Sequence, residues 1–347
     1  MFILFKVIYL LGNKSKLTAC ALLRGDHMEN KSEKLLEIKN LHVHYITDDE
    51  DVKAVNGIDL TLSYGESMGL VGETGAGKTT TCLSIMQLVP DPPGIIVDGE
   101  INFKGQNMIY NTEKQNEAIR GNGISMIFQD PMTALNPIMT VGQQLTEVVL
   151  NHNKKMKKSE AEKKVMEMLE IVGVKRDRFN DYPHQFSGGM KQRVVITMAL
   201  LCNPELLIAD EPTTALDVTI QAQVLEIIKK LKEDFNTSLL LVTHDLGVVA
   251  ETCDRVSIMY AGEIVESGTV EEVFTDTKHP YTKGLFESIP KLDEDSERLI
   301  PIEGLIPNPA DLPKGCCFHP RCKYKRPECE IEKPPVKGVG HTYKCIL

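Results

Sequence analysis

Tryptophan is absent from this chain of 347 residues, and aromatic side chains of all kinds make up only 5% of it. A sugar- or base-stacking platform is therefore not expected. A basic excess is missing as well: 39 Lys and Arg stand against 49 Asp and Glu, for a formal net charge of −10. Nucleic-acid binders usually carry the opposite balance, so no nucleic-acid partner is expected. The one basic cluster, Lys154-Lys155-Met156-Lys157-Lys158, reads as a solvated loop. No apolar run reaches the roughly 20 residues that a membrane-crossing helix needs. Met1 to Leu11 is apolar apart from Lys6, but it is too short to span and lacks the basic leader and cleavage site of a signal peptide. Met28 opens a polar stretch, so residues 1–27 are expected to be a spurious upstream extension or a disordered tail. Residues 1–34 are set apart accordingly. Internal repeats and sustained heptads are also missing, which excludes a solenoid and a coiled coil.

What is present suffices for one large α/β core with an appendage. Leu36 to Tyr45 alternates apolar and polar residues as a half-buried strand does, and Thr47 to Asp51 is an acidic turn. Ser67–Val71 reads as a short strand, followed by a helix over Thr79–Leu88 that stops before Pro90, Pro92 and Pro93. Ser125–Phe128 is another short strand. Residues 131–186 turn mostly helical and read as an inserted subdomain, with a capping box at Ser159 and Glu162. Strands return at Leu206–Asp210, Ser238–Val242 and Val256–Tyr260, with a helix near Ile220–Phe235. Strand alternating with helix implies a mostly parallel sheet. Beyond residue 270 the sequence becomes rich in Pro and Cys.

Several motifs on this frame carry chemistry. Gly72-Glu73-Thr74-Gly75-Ala76-Gly77-Lys78-Thr79 lies between a strand and a helix, the context that a phosphate-binding loop requires. Gly72, Gly75 and Gly77 lack Cβ, so backbone N–H groups can wrap a β-phosphate at the positive end of the following helix. Lys78 should reach the β- and γ-phosphates, and the Thr79 hydroxyl should ligate Mg²⁺. Asp210 closes an apolar strand at its carboxyl edge, where it should hold Mg²⁺ through water. Its neighbour Glu211 is the candidate general base for an attacking water. Gln129 would touch Mg²⁺ or that water, and His244 could contact the γ-phosphate. Each means little alone; their order along the chain is the signal. Ser187-Gly188-Gly189 precedes a helix and makes a second phosphate site from a hydroxyl and exposed N–H groups. One chain has no need of two such sites for one γ-phosphate, so the second is expected to serve a partner's ATP.

With these motifs in place, the chain resembles the nucleotide-binding subunits of ABC transporters over roughly residues 35–270. The resemblance implies a phosphate-loop core with a mostly parallel sheet, an antiparallel β edge and the inserted helical subdomain. It implies that Tyr45 stacks on adenine, that Thr80 belongs to the nucleotide site, and that Ala215-Leu216-Asp217 couples two ATP sites across a dimer. Phe186 and Met190 depart from the usual leucine and glutamine of the signature, but neither change removes a phosphate donor.

His279-Pro280-Tyr281-Thr282, Pro307 and Gly315-Cys316-Cys317-Phe318-His319-Pro320-Arg321-Cys322 are similar to the C-terminal extension of the oligopeptide and dipeptide importer branch, which nickel importers share. Gln129 to Pro137 also looks like that branch, and would meet a coupling helix. Residues 271–347 are accordingly assigned to a small Cys-rich extension. Cys316, Cys322, Cys329 and Cys345 could bind a metal through four thiolates, although their spacing is not that of a zinc ribbon. The resemblance implies a [4Fe–4S] cluster there; zinc and reduced, metal-free thiols are the alternatives. Cys82, Cys202 and Cys253 read as buried fillers.

The expectation is thus an ATPase that powers peptide import. Its implied partners are a second ATPase subunit, identical or homologous, two transmembrane permease subunits and, indirectly, an extracellular substrate-binding protein. Its implied place is peripheral, on the cytoplasmic face of the plasma membrane. The alternatives are a nickel or other small-solute importer ATPase of the same branch, an exporter ATPase, a soluble ABC protein, and an ATP sensor that does not hydrolyse. The tail argues against an exporter. The single cassette without zinc-finger insertions argues against the soluble class, and the intact Asp210, Glu211 and His244 argue against a sensor.

Overall fold

The computed structural model describes residues 33–130, 133–213, 217–288 and 301–347. The expectation for residues 1–27 lies outside them, as do Ala215 and Leu216. The alternating segment forms β1 (Lys34–Ile46), which pairs antiparallel with β2 (Asp51–Ser63). β3 (Ser67–Val71) runs into the glycine loop, and β4 (Gly94–Phe103) and β5 (Gln106–Asn107) return to the first sheet in the order β2-β1-β4-β5. The second sheet adds β6 (Ile124–Ile127), β7 (Leu206–Asp210), β8 (Ser238–Thr243), β9 (Arg255–Tyr260), β10 (Glu263–Thr269) and β11 (Thr342–Tyr343). Its order is β11-β10-β9-β3-β8-β7-β6. The pairs from β9 through β3, β8 and β7 to β6 are parallel, whereas β10 is antiparallel to both of its neighbours.

The parallel strands are buried on both faces, as strands covered by helices on one side and a sheet on the other must be. Leu206, Ile208, Leu240 and Val242 pack toward the antiparallel sheet with Leu36, Ile38, Val43 and Leu62. The alternate residues Leu207, Ala209, Leu239 and Leu241 pack toward the helices with Leu145, Val165, Leu169, Val194 and Ile228. A third core joins β9 and β10 to the C-terminal segment through Val256, Ile258, Tyr260, Tyr281 and Phe318.

Between residues 133 and 186 the regular elements are helical: Val141–His152, Lys158–Ile171 and two short 3₁₀ turns. The capping box expected at Ser159 does not form. The helix starts one residue before it, with Lys157 as the N-cap, and Glu162 pairs instead with exposed Lys158 at 3.8 Å. A box does form at Thr140 and Gln143, where each side chain accepts the other's backbone N–H, at 3.3 and 3.0 Å. The basic cluster is exposed between these helices, except that Met156 packs on the core.

The order of the sheet positions the site. The C-terminal ends of β3, β6, β7 and β8 lie side by side, and each is followed by one of the motifs. Ligands bind at that edge of open α/β sheets. Among the described residues no helix is long and apolar enough to cross a membrane.

Candidate active site

The phosphate loop is shaped by what its glycines prevent. A Cβ on Gly72 would lie 2.2 Å from the Met259 carbonyl oxygen, and one on Gly77 would lie 2.3 Å from that of Ala54. Gly77 also has φ of +100°, so a side chain there would be both strained and crowded. Gly75 differs: φ is +82°, but a Cβ would meet nothing within 4 Å. The loop therefore folds tightly against β2 and β9 on one side and stays open on the other. The helix Lys78–Ile85 then begins, with first N–H groups that have no intrahelical partner.

The Lys78 side chain is buried at this opening, and its Nζ donates to the carbonyls of Gly72 at 2.7 Å and Glu73 at 3.0 Å. Burial lowers its pKa, and the carboxylates of Glu211 and Asp210 partly restore it. Asp210, at the end of β7, is 1% exposed, and neither carboxylate oxygen has a hydrogen-bond partner. Burial pushes its carboxyl up, while the Thr79 hydroxyl, close by but outside hydrogen-bond geometry, and Lys78 pull it down. A buried carboxylate with two open oxygens beside a threonine hydroxyl fits a hydrated Mg²⁺. Such an ion uses one or two protein oxygens and completes its shell with water and phosphate.

Glu211 follows in the left-handed region, with φ of +44°, and its N–H donates to the Val242 carbonyl at 2.9 Å. A non-glycine residue in that region is strained, and such residues cluster at functional sites. The turn brings two predicted residues onto one carboxylate. Gln129 Nε2 donates to Glu211 Oε2 at 3.1 Å, and His244 Nδ1 lies 3.4 Å from Oε1. The cleft beside them has a volume of about 300 Å³, and its walls include Tyr45, Gly75, Gly77, Lys78, Thr79, Thr80, Gln129 and Glu211. Tyr45 Oη lies 3.4 Å from Thr80 Oγ1, which fixes the ring at one end of the cleft.

Ser187, Gly188, Gly189 and Asp217 are not among the residues that line this cleft. Ser187 is exposed and caps the helix Gly188–Leu200, accepting from the Met190 N–H at 3.4 Å. Asp217 caps the helix Val218–Phe235, accepting from the Ile220 N–H at 2.9 Å. Both cap roles follow from residue type alone.

The expected cysteine site has no support. Among the described residues no three His, Cys, Asp or Glu side chains are arranged to hold a metal ion. Cys316, Cys322, Cys329 and Cys345 are free thiols in one neighbourhood, with Cys329 and Cys345 buried. Burial, and to a lesser degree the three other cysteines, pushes the Cys316 thiol up to about 11. Of the expected fillers, Cys82 is fully buried and Cys202 and Cys253 are half-buried; burial raises all three thiols.

Sequence reasoning missed the tail's part in the site. Pro309 lines the cleft, and its carbonyl accepts the Lys53 N–H at 3.0 Å. Tyr281 and Arg321 reach Glu73 of the phosphate loop. Tyr281 and Arg321 stood inside motifs already singled out, but nothing local told where they pointed.

Residues 55–214 match the ABC transporter family, and residues 265–329 match the family described as oligopeptide/dipeptide transporter, C-terminal region. The oligopeptide transport ATP-binding protein AppD of Bacillus subtilis is 50% identical over 317 residues, covering 90% of this chain and 96% of that protein. The chain belongs to the ABC transporter family. Within the family, the dipeptide transport ATP-binding protein DppD of Lactococcus lactis is 48% identical, with 90% of this chain and 89% of that protein covered. Among solved structures, the dimeric bacterial ABC transporter cassette MJ0796 superposes with a TM-score of 0.61 at 27% identity, over 68% of this chain and 98% of that one. The cbiO1 subunit from Clostridium perfringens gives 0.60 at 26%, over 70% and 92%. This ABC protein therefore has the family's α/β nucleotide-binding fold, with ATP and Mg²⁺ as the ligands the family implies.

Proposed function

We propose that this ABC protein is the ATP-hydrolysing subunit of an importer of oligopeptides or dipeptides. The observation that carries the catalytic half is the Glu211 carboxylate, bracketed by Gln129 and His244 at the mouth of the phosphate-loop cleft. The peptide half is supported by the likeness to peptide transport ATP-binding proteins along most of the chain.

The residues divide the work as follows. Tyr45 provides a ring for the base, and the N–H groups of Gly75 to Thr80 meet the phosphates. Lys78 exchanges its two loop carbonyls for phosphate oxygens. Thr79, Asp210 and Gln129 would hold Mg²⁺, which supplies positive charge against the triphosphate. Glu211 takes a proton from the attacking water; Gln129 and His244 hold its carboxylate in place and bind the water and the γ-phosphate once ATP is present. Exposed Ser187, with the partly buried Gly188 and Gly189 beside it, completes the site of a second ATPase subunit, which in return completes this one. Closure of the pair draws two permease subunits from one facing to the other. Differential affinity for ATP and ADP between closed and open pairs drives the cycle. The subunit then sits at the cytoplasmic face of the membrane, held by its permease partners. The C-terminal cysteines have no step in this scheme.

The test is Glu211→Gln in the assembled transporter. ATP hydrolysis should fall by roughly 10²–10⁴-fold, the usual worth of a general base. MgATP should stay bound in a closed pair, and uptake of a labelled oligopeptide should cease. Full turnover by the variant would remove Glu211 from its role. Uptake of nickel without any peptide by the unmodified transporter would refute the substrate.

A further inference from the structure

Glu73 is an awkward residue to find in a phosphate loop. Its carboxylate adds negative charge beside the place where a triphosphate would lie, and like charges at short range repel. The structure shows what offsets it. Arg321, 248 residues further along, donates to the Glu73 carboxylate from Nη1 at 2.7 Å and from Nη2 at 3.2 Å. The Arg321 side chain is 5% exposed. Its guanidinium is fixed from behind by the carbonyls of Ile302 and Glu303, at 3.2 and 3.1 Å, and it stands 5.8 Å above the Tyr260 ring. A bidentate guanidinium held this way sets direction as well as charge.

The backbone of Glu73 is held at the same time. Its N–H donates to Tyr281 Oη at 3.0 Å, and its carbonyl accepts from Lys78 Nζ and from the Ala76 N–H. Tyr281 is fully buried, and its ring packs on Tyr260 at 4.6 Å between centroids. His279 and Pro280 start the helix Pro280–Glu287, where His279 Nδ1 accepts the Tyr281 N–H at 3.1 Å, and this aims the phenol at the loop. Both ends of the Glu73 peptide and its side chain are thus constrained, and two of the three constraints come from the C-terminal segment. When Lys78 leaves for a phosphate, the Ala76 N–H, Tyr281 and Arg321 remain.

We propose that Arg321 and Tyr281 are positioning residues for nucleotide binding: together they fix Glu73, neutralise its charge and hold the phosphate loop in its receptive shape. The C-terminal segment is then part of the nucleotide site rather than an appendage to it. Pro309, which walls the cleft while its carbonyl accepts the Lys53 N–H, joins the same segment to the opposite end of the site. This inference rests on the nucleotide site proposed above.

The experiment is calorimetric titration of the full chain with MgADP, with thermal midpoints recorded separately without nucleotide. Arg321→Ala should weaken binding by about tenfold, equivalent to about 1.4 kcal/mol. Tyr281→Phe, which removes one hydroxyl, should weaken it by about threefold. The decisive variant is the double one. Arg321→Ala with Glu73→Gln should bind more tightly than Arg321→Ala alone, because the stranded charge has gone. A merely structural role for Arg321 would lower the thermal midpoint in both variants and give no such recovery; that result would overturn the proposal. Binding within twofold of the unmodified chain by both Arg321→Ala and Tyr281→Phe would overturn it as well. Should Arg321→Ala not fold, Arg321→Lys keeps the charge and loses the fork, and Lys binding as tightly as Arg would count against the proposal. Lys78→Ala is the control for the site itself. If it binds MgADP as the unmodified chain does, the nucleotide-site reading fails and the clamp with it.

Discussion

Replacing Asp210 with Asn should stabilise the protein when Mg²⁺ and nucleotide are absent. The carboxylate is 1% exposed and both oxygens lack hydrogen-bond partners, so the folded state carries a desolvation penalty that Lys78 and the Thr79 hydroxyl offset only in part. A buried polar group left without its bonds costs about 1–3 kcal/mol, and more if charged. A neutral amide of the same shape is less costly to bury, so the expected gain is about 1–2 kcal/mol. That corresponds to a rise of about 1.5–3 °C in Tm for a chain of this length. The sign with pH follows from the direction of the shift. Burial raises the Asp210 pKa above the ordinary value of 3.8, so its favourable contribution is complete below that value and is lost as pH rises through the folded pKa. The advantage of Asn should therefore be largest at pH 8 and narrow toward pH 4. MgATP should reverse the order, because a ligand at a hundred times its Kd adds about 2.7 kcal/mol to whichever protein binds it. Scanning calorimetry in EDTA at several pH values, then with saturating MgATP, reads all three effects. An Asn variant that melts below the unmodified protein at pH 8, with a gap independent of pH, would refute the reasoning.

Two further substitutions probe the cleft. Gly77→Ala places a Cβ against the Ala54 carbonyl in a strained backbone region; it should lower stability by about 1–3 kcal/mol and abolish nucleotide binding, read by Tm and titration. Tyr45→Phe removes only the 3.4 Å contact to Thr80 and should leave ATP affinity within about twofold, whereas Tyr45→Ala removes the ring and should weaken it by about tenfold, equivalent to about 1.4 kcal/mol. Equal affinities for Phe and Ala variants would remove Tyr45 from the base end of the site.

Some of this was legible because it is local. Ser67–Val71 and Leu206–Asp210 are short apolar runs that end in glycines or acids, and the structure starts and stops those strands where the residues change. β2 and β4 were not read from pattern, since both mix apolar residues with Asp, Asn and Gly, and their place depends on pairing with β1. The capping boxes show the limit of local rules. Ser159 and Glu162 had the right spacing but lay just inside a helix that begins at Lys158, while Thr140 and Gln143 sat at a true start. The four tail cysteines show the same limit: their spacing suggested a metal site, yet among the described residues no group of three or more such side chains is arranged to hold one.

The sequence by itself determined which groups are candidates to handle phosphate and that they stand at the ends of strands or the starts of helices. Each motif is contiguous with the strand or helix that carries it, and parallel strands place such ends along one edge. Only the tertiary structure decided how the groups meet. It turned Glu211 through a left-handed backbone so that Gln129 and His244 share its carboxylate, and it buried Asp210 with both oxygens open. It also brought Arg321 back to Glu73 across 248 positions. Contacts of that range depend on the packing of whole layers, and no local pattern of residues encodes them.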